Sequence, residues 1–72
     1  MADVFWLTKP ILGIAFDAHG HGVLSKLPGD AKLRFIGPCG APGFVEVVYG
    51  DKLYRVFMVD LIERSISLRV AA

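Results

Sequence analysis

The sequence predicts an all-β domain: a single small barrel, roughly five- to six-stranded, over residues 1–72, with one short helical (3-10) turn before the last strand. Runs rich in Val, Ile, Phe and Tyr alternate with clusters of Gly and Pro about every 8 to 12 residues, as in small barrels. No segment has the periodicity of an amphipathic helix, and no linker or internal repeat divides the chain.

The first part of the chain predicts an N-terminal arm or first strand over residues 1–10 and a strand over residues 11–17. Alternation places three large apolar side chains on one side of the second segment: Leu12, Ile14 and Phe16. Gly13 and Ala15 lie on its other side, where they permit the close approach of a neighbouring strand or subunit. Residues 18–22 are expected to form a loop and residues 23–26 a short strand.

Glycine and proline then predict a turn and a loop on either side of one strand. Residues 27–30 have the composition of a type II turn, in which Pro28 presets φ and Gly29 supplies a positive φ. Residues 31–36 alternate, with Lys32 and Arg34 facing outward. Residues 37–43 contain three glycines and two prolines, so we expect a loop and no strand there.

The best-defined element is a hairpin of residues 44–49 and 52–58. Gly50 and Asp51 form a two-residue connection with glycine first, as a type II′ turn prefers. Counting from this turn pairs Tyr49 with Lys52, Val48 with Leu53, Val47 with Tyr54, Glu46 with Arg55, Val45 with Val56 and Phe44 with Phe57. A three-residue turn would shift this register.

The register gives the hairpin two different sides. One side carries a set suited to a barrel interior: Val45, Val47, Tyr54 and Val56. The other side, called the hairpin face below, consists of Phe44, Glu46, Val48, Leu53, Arg55 and Phe57. A solvated face should be polar, but four of these six residues are large and apolar, and the two charges form a cross-strand pair. We therefore predict a subunit interface here; the alternative is that residues 4–7, including Trp6, cover this face.

The C-terminal segment predicts one helical turn and a closing strand. Residues 59–63 place Asp60 as an N-cap, with Glu63 three residues later in the spacing of a capping box. Residues 65–70 alternate again, with Ile66, Leu68 and Val70 on one side.

Composition predicts self-association. Apolar residues make up 54% of the chain and charged residues 21%. A domain of this size buries only roughly 60% of the surface of its unfolded chain, so part of this apolar material stays exposed. Because large exposed apolar patches mark partner surfaces, we expect a homo-oligomer, a dimer in the first instance, with another protein as the alternative partner.

Charge and cysteine content disfavour other partners. The formal net charge is +1 and the charges are interspersed, which gives no electrostatic footprint for nucleic acid. The apolar N-terminal stretch is interrupted at residues 8–10 and is too short to span a bilayer. The single cysteine, Cys39, is typical of a reducing compartment, so a cytoplasmic protein is expected.

Phe5, Trp6 and Tyr49 are expected in the core or an interface, not as base-stacking platforms.

One segment carries candidate metal ligands. Asp17, His19 and His21 alternate, and His-x-His can bind zinc or copper, with Cys39 as a distant fourth ligand. The competing interpretation is a glycine-rich turn with solvated histidines, which the lack of a second histidine pair or a Cys-x-x-Cys motif favours. Cys39 has no basic neighbour to activate a nucleophile. We therefore predict no catalytic, cofactor or metal site.

The order of elements resembles that of an SH3 domain over roughly residues 11–70. Residues 14–18, Ile-Ala-Phe-Asp-Ala, resemble the Ala-Leu-Tyr-Asp-Tyr opening of that family, and residues 23–33 resemble its strand and diverging turn. The resemblance implies an SH3-like barrel. It does not extend to the proline-peptide groove, because Phe16 lacks the hydroxyl, Ala18 replaces the second tyrosine, and no tryptophan starts the third strand.

Three further resemblances offer alternatives. Residues 29–47, with glycines at 37, 40 and 43, resemble the KOW motif of ribosomal and transcription proteins, which implies RNA contact. The C-terminal half resembles the short plasmid-borne type II dihydrofolate reductases, SH3-like barrels with one active pore built from several subunits, although Leu53-Tyr54-Arg55-Val56 stands in place of their Val-Gln-Ile-Tyr motif. The whole chain resembles short uncharacterised bacterial proteins such as those encoded on integron gene cassettes.

The sequence thus predicts a small protein-interaction or homo-oligomeric scaffold module whose partner surface is the hairpin face. The first alternative is a KOW- or Sm-like module that binds nucleic acid. The second alternative is an enzyme with its site at an oligomer axis, like type II dihydrofolate reductase. A role without catalysis is favoured, because no catalytic constellation is present within the single chain.

Overall fold

A computed structural model of the protein describes residues 3–69. Over these residues the chain is all-β except for one short helix. In chain order the elements are β1 (Asp3–Leu7), β2 (Ile11–Phe16), β3 (Gly22–Leu27), β4 (Lys32–Pro38), β5 (Phe44–Tyr49), β6 (Lys52–Phe57), α1 (Met58–Glu63) and β7 (Ser65–Arg69). Within this part of the chain, no helix is long and apolar enough to cross a membrane.

All described strands belong to one antiparallel sheet with the order β3-β2-β6-β5-β4-β1-β7. The all-β prediction is therefore confirmed, but the sheet has seven strands rather than five to six, and it does not close, since β3 and β7 are its edges. The N-terminal segment, which was predicted to be an arm or a first strand, is a strand that lies between β4 and β7.

The core lies on one side of the sheet, where nine buried residues pack together: Leu7, Ile11, Leu27, Ala31, Leu33, Val45, Val47, Val56 and Leu61. The predicted interior side of the hairpin is confirmed, with Val47 and Val56 fully buried and Tyr54 packed against the cluster. The small side of β2 also faces inward. A Cβ atom on Gly13 would lie 3.3 Å from the Cβ atom of Tyr54, so the close approach is to β6.

The hairpin has the predicted register at all six positions, from Phe44 opposite Phe57 to Tyr49 opposite Lys52. Gly50 has a φ of 62°, and no non-glycine residue in the described part of the chain has a positive φ. A positive φ at the first turn residue alone is the pattern of a type II′ turn. The turn therefore fixes which side chains of β5 and β6 point away from the core.

The predicted turn before β4 and the predicted loop after it are both corrected. The turn before β4 is closed by the amide of Ala31, which donates to the carbonyl of Pro28 at 3.1 Å, and Gly29 does not have a positive φ. The turn is thus one residue later than predicted and is not of type II. In addition, β4 continues through Gly37 and Pro38, which were predicted to be loop. A bulge between Phe35 and Gly37 lets the strand accommodate these residues.

The helix also differs from its prediction. It is a short α-helix that begins at Met58, its N-cap is Phe57, and no side chain caps it. Asp60 lies inside the first turn, and its carbonyl accepts a hydrogen bond from the amide of Arg64. The capping-box prediction failed because the chain passes directly from β6 into the helix. Leu61 is its buried anchor.

The closing strand is present as β7, and Val70 lies outside the described residues. Ile66 is 51% exposed and lies opposite Trp6 of β1, so at this position the apolar side of β7 faces away from the core.

Candidate interaction surface

The hairpin face is the outer side of two central strands. Its six residues form three cross-strand rows: Phe44 opposite Phe57, Glu46 opposite Arg55, and Val48 opposite Leu53. The rings of Phe44 and Phe57 are in contact, with 4.4 Å between their centroids. One row of opposite charges is therefore enclosed between an aromatic row and an aliphatic row.

Much of this face is open in the single chain. Leu53 and Phe57 are 47% and 50% exposed, and the other four residues are partly buried. The predicted alternative, in which residues 4–7 cover the face, is wrong. This segment is β1, which is hydrogen-bonded into the sheet between β4 and β7, and β4 separates it from β5. No other element described in residues 3–69 takes its place.

The apolar surface continues onto β2 and β3, which were not part of the predicted interface. Ile14 pairs with Arg55 on one side and with Leu24 on the other, so these three side chains share the outer side of the sheet. Leu12 and Phe16 alternate with Ile14 and lie on the same side, and both are about half exposed. The sequence did contain a signal for this extension, because residues 12, 14 and 16 are apolar and alternate along the strand. The pattern of a single strand does not reveal, however, whether these side chains point toward the core or away from it.

The charged pair is held between aromatic and apolar neighbours. The Nε atom of Arg55 lies 3.6 Å from Oε2 of Glu46, which is an ion-pair distance but longer than a hydrogen bond. The guanidinium carbon of Arg55 is 4.6 Å from the centroid of the Phe16 ring, a cation–π contact. Nε is occluded from solvent and has no hydrogen-bond partner within residues 3–69. Arginine is enriched in the hot spots of protein interfaces, and phenylalanine is enriched in interfaces relative to the rest of the surface.

The His-x-His segment is a self-contained turn. Oδ1 of Asp17 accepts hydrogen bonds from the backbone amides of His19 and His21, both at 2.9 Å, and Nδ1 of His21 lies 3.6 Å from Oδ2 of Asp17. In the described part of the chain, no group of three or more His, Cys, Asp or Glu residues is arranged to hold a metal ion. The aspartate thus has a structural role, stabilising the loop between β2 and β3.

The thiol of Cys39 has a local structural contact. It lies partly buried in the loop before β5, and Sγ donates a weak hydrogen bond of 3.7 Å to the carbonyl of Phe44. This contact connects the loop to the first residue of the hairpin face.

A second outer surface lies over β4 and β1. Lys32 and Arg34 are exposed on β4 and contribute to a shallow depression that also contains Asp51. Trp6 lies opposite Lys32 and is 42% exposed, so it is not a core residue, whereas Phe5 and Tyr49 do pack against the core. This surface combines two cations with an aromatic side chain, and it adjoins the hairpin face, because Arg34 lies opposite Val48 in the sheet.

Compared with known proteins, the chain matches no protein-family model, no curated protein and no solved structure.

Proposed function

We propose that this chain is a cytoplasmic, SH3-like protein-interaction module that associates with copies of itself through the hairpin face. The observation that carries the proposal is the exposure of Leu53 and Phe57 beside the enclosed Glu46–Arg55 pair, on the outer side of the two central strands. Covering this surface removes apolar area from water and lowers the free energy by about 25 cal/mol for each Å² buried.

A second copy is favoured over an unrelated partner by charge. The hairpin face contains one acidic and one basic residue, so its six residues are neutral overall. Each charge of this face can therefore find an opposite charge on a second copy of the same face. An isologous dimer uses the same patch on both subunits and requires this self-complementarity. The face continues through Leu12, Phe16 and Leu24, which supplies area toward the roughly 800 Å² per partner of a standard interface.

Light scattering on the purified chain tests the proposal. At concentrations on the order of tens of micromolar, we expect a mass of at least twice 7.8 kDa that falls toward the monomer mass on dilution. A mass of 7.8 kDa throughout the series would reject self-association and leave another protein as the partner of the face.

Nucleic-acid binding is a second candidate, and one observation favours it: the exposed Trp6 lies directly opposite Lys32 in the sheet, with Arg34 two residues further along the same strand. Bases stack on such aromatic side chains while nearby cations contact phosphates. Titration with a single-stranded oligonucleotide should then quench the fluorescence of Trp6, the only tryptophan of the chain, in a salt-dependent manner. An unchanged emission at low salt would reject this candidate.

A further inference from the structure

The arrangement of charges on the hairpin face restricts how two copies can pack. Glu46 lies on β5 and Arg55 lies directly opposite on β6, so the two signs of charge lie on different strands of the same row. Two copies that pack face to face by the same surface are related by a two-fold axis in the plane between them. The direction of this axis decides which residue faces which.

Two directions of the two-fold axis are aligned with the sheet: across the strands and parallel to them. If the axis runs across the strands along the charged row, Glu46 of one copy faces Glu46 of the other, and Arg55 faces Arg55. If the axis runs parallel to the strands, midway between β5 and β6, the β5 residue of each row faces the β6 residue of the same row on the second copy. Glu46 then faces Arg55 of the second copy, and Phe44 faces Phe57 of the second copy.

Electrostatics separates the two arrangements. Like charges that face each other in an interface from which water is excluded are strongly unfavourable, whereas opposite charges are satisfied. Packed sheets lie about 10 Å apart, a distance that the long side chains of one glutamate and one arginine can bridge together. Arg55 can reach the second copy, because its side chain is 37% exposed.

We infer that the dimer has its two-fold axis parallel to β5 and β6 and midway between them, so that Glu46 of each copy pairs with Arg55 of the other. The inference depends on the proposed self-association and adds its geometry. The same axis brings the two Phe44–Phe57 rows together as one aromatic cluster of four rings. Val48 of each copy faces Leu53 of the other.

A charge exchange tests the axis. The double variant Glu46→Arg/Arg55→Glu keeps the composition, the net charge and the cross-strand ion pair within each chain, so it should fold. With the axis along the strands, this variant forms homodimers as the wild type does. A mixed dimer of wild type and double variant, however, brings two glutamates together and two arginines together.

The measurement is native mass spectrometry of an equimolar mixture after exchange of subunits. Because the two chains have the same mass, the wild type is labelled with ¹⁵N. We expect each chain to associate with its own kind. The fraction of mixed dimers should fall from the one half expected for random association to less than about a tenth. A random mixture would show that the charges do not meet across the interface, and an excess of mixed dimers would place the axis across the strands; either result overturns the inference.

Failure of the inference and failure of the proposed function are distinguishable in the same spectra. If the wild type alone is monomeric, self-association itself is rejected. If the wild type is dimeric but does not sort from the double variant, only the axis is rejected. Should the double variant not fold, the Glu46→Arg and Arg55→Glu chains test whether the charges meet across the interface: each should dimerise poorly alone, and mixing them should restore dimers for either direction of the axis. No restoration would overturn the pairing of charges between copies.

Discussion

Replacing Phe57 by aspartate should dissociate the protein. Phe57 is on the hairpin face, 50% exposed, and in ring contact with Phe44. In the proposed dimer its exposed half is buried against the second copy. An aspartate at this position removes that apolar contact and introduces a charge that has no opposite charge facing it, so both effects weaken association.

The magnitude follows from the exposed area. A phenylalanine buries roughly 150–250 Å² in all, so about 100 Å² is left to be covered at half exposure. At about 25 cal/mol per Å², this area is worth about 2.5 kcal/mol in each chain and about 5 kcal/mol in a two-fold dimer. Since 1.4 kcal/mol corresponds to a factor of ten, the dissociation constant should rise by at least about a thousandfold.

Sedimentation velocity of Phe57→Asp and a matched control measures this change. Ile66→Asp is the control, because Ile66 is 51% exposed, also lies on a strand and also faces outward, but is separated from β6 by three strands. We expect Phe57→Asp to sediment as a monomer and Ile66→Asp to retain the wild-type mass, with circular dichroism showing that both fold. If Phe57→Asp stays associated, or if both variants dissociate alike, the hairpin face is not the interface.

Three further predictions concern the fold and the histidine loop. Leu33→Ala should lower the free energy of unfolding by about 2–5 kcal/mol in chemical denaturation, because Leu33 is fully buried in the core; a change below about 1 kcal/mol would contradict the core assignment. Gly50→Ala should cost about 1–2 kcal/mol, since the φ of 62° is unfavourable for a residue with a Cβ atom; an unchanged midpoint would argue against the type II′ turn. Equimolar zinc should leave the NMR signals of His19 and His21 unshifted, because the loop is closed by hydrogen bonds to Asp17, and a stoichiometric shift would establish a metal site.

The local pattern of the hairpin was predictable because its turn is short. With only Gly50 and Asp51 between the strands, the register has no freedom, and the six pairs follow by counting. The side of the hairpin to which each residue points was therefore predicted correctly from the sequence alone. The outward direction of Lys32 and Arg34 was predictable for the same reason, because charged and apolar residues alternate with the period of a strand.

Long-range pairing was not predictable in the same way. Nothing in residues 3–7 indicates that they insert between β4 and β7, since any apolar segment of that length suits several edges of a sheet. The direction of β2 was ambiguous as well, because both of its sides are apolar. The packing of Gly13 against Tyr54 shows that the small side faces inward, and Leu12 and Phe16 therefore extend the exposed apolar surface.

The most direct test of self-association is the solvent accessibility of the hairpin face itself, measured as a function of protein concentration. Methyl signals of Val48 and Leu53 can be followed by NMR in the presence of a soluble paramagnetic probe, with Ile66 as the reference methyl on a separate strand. We predict that broadening of Val48 and Leu53 by the probe diminishes as the protein is concentrated, while Ile66 stays equally accessible. Equal broadening of Val48 and Leu53 at every concentration would contradict burial of this face by a second copy.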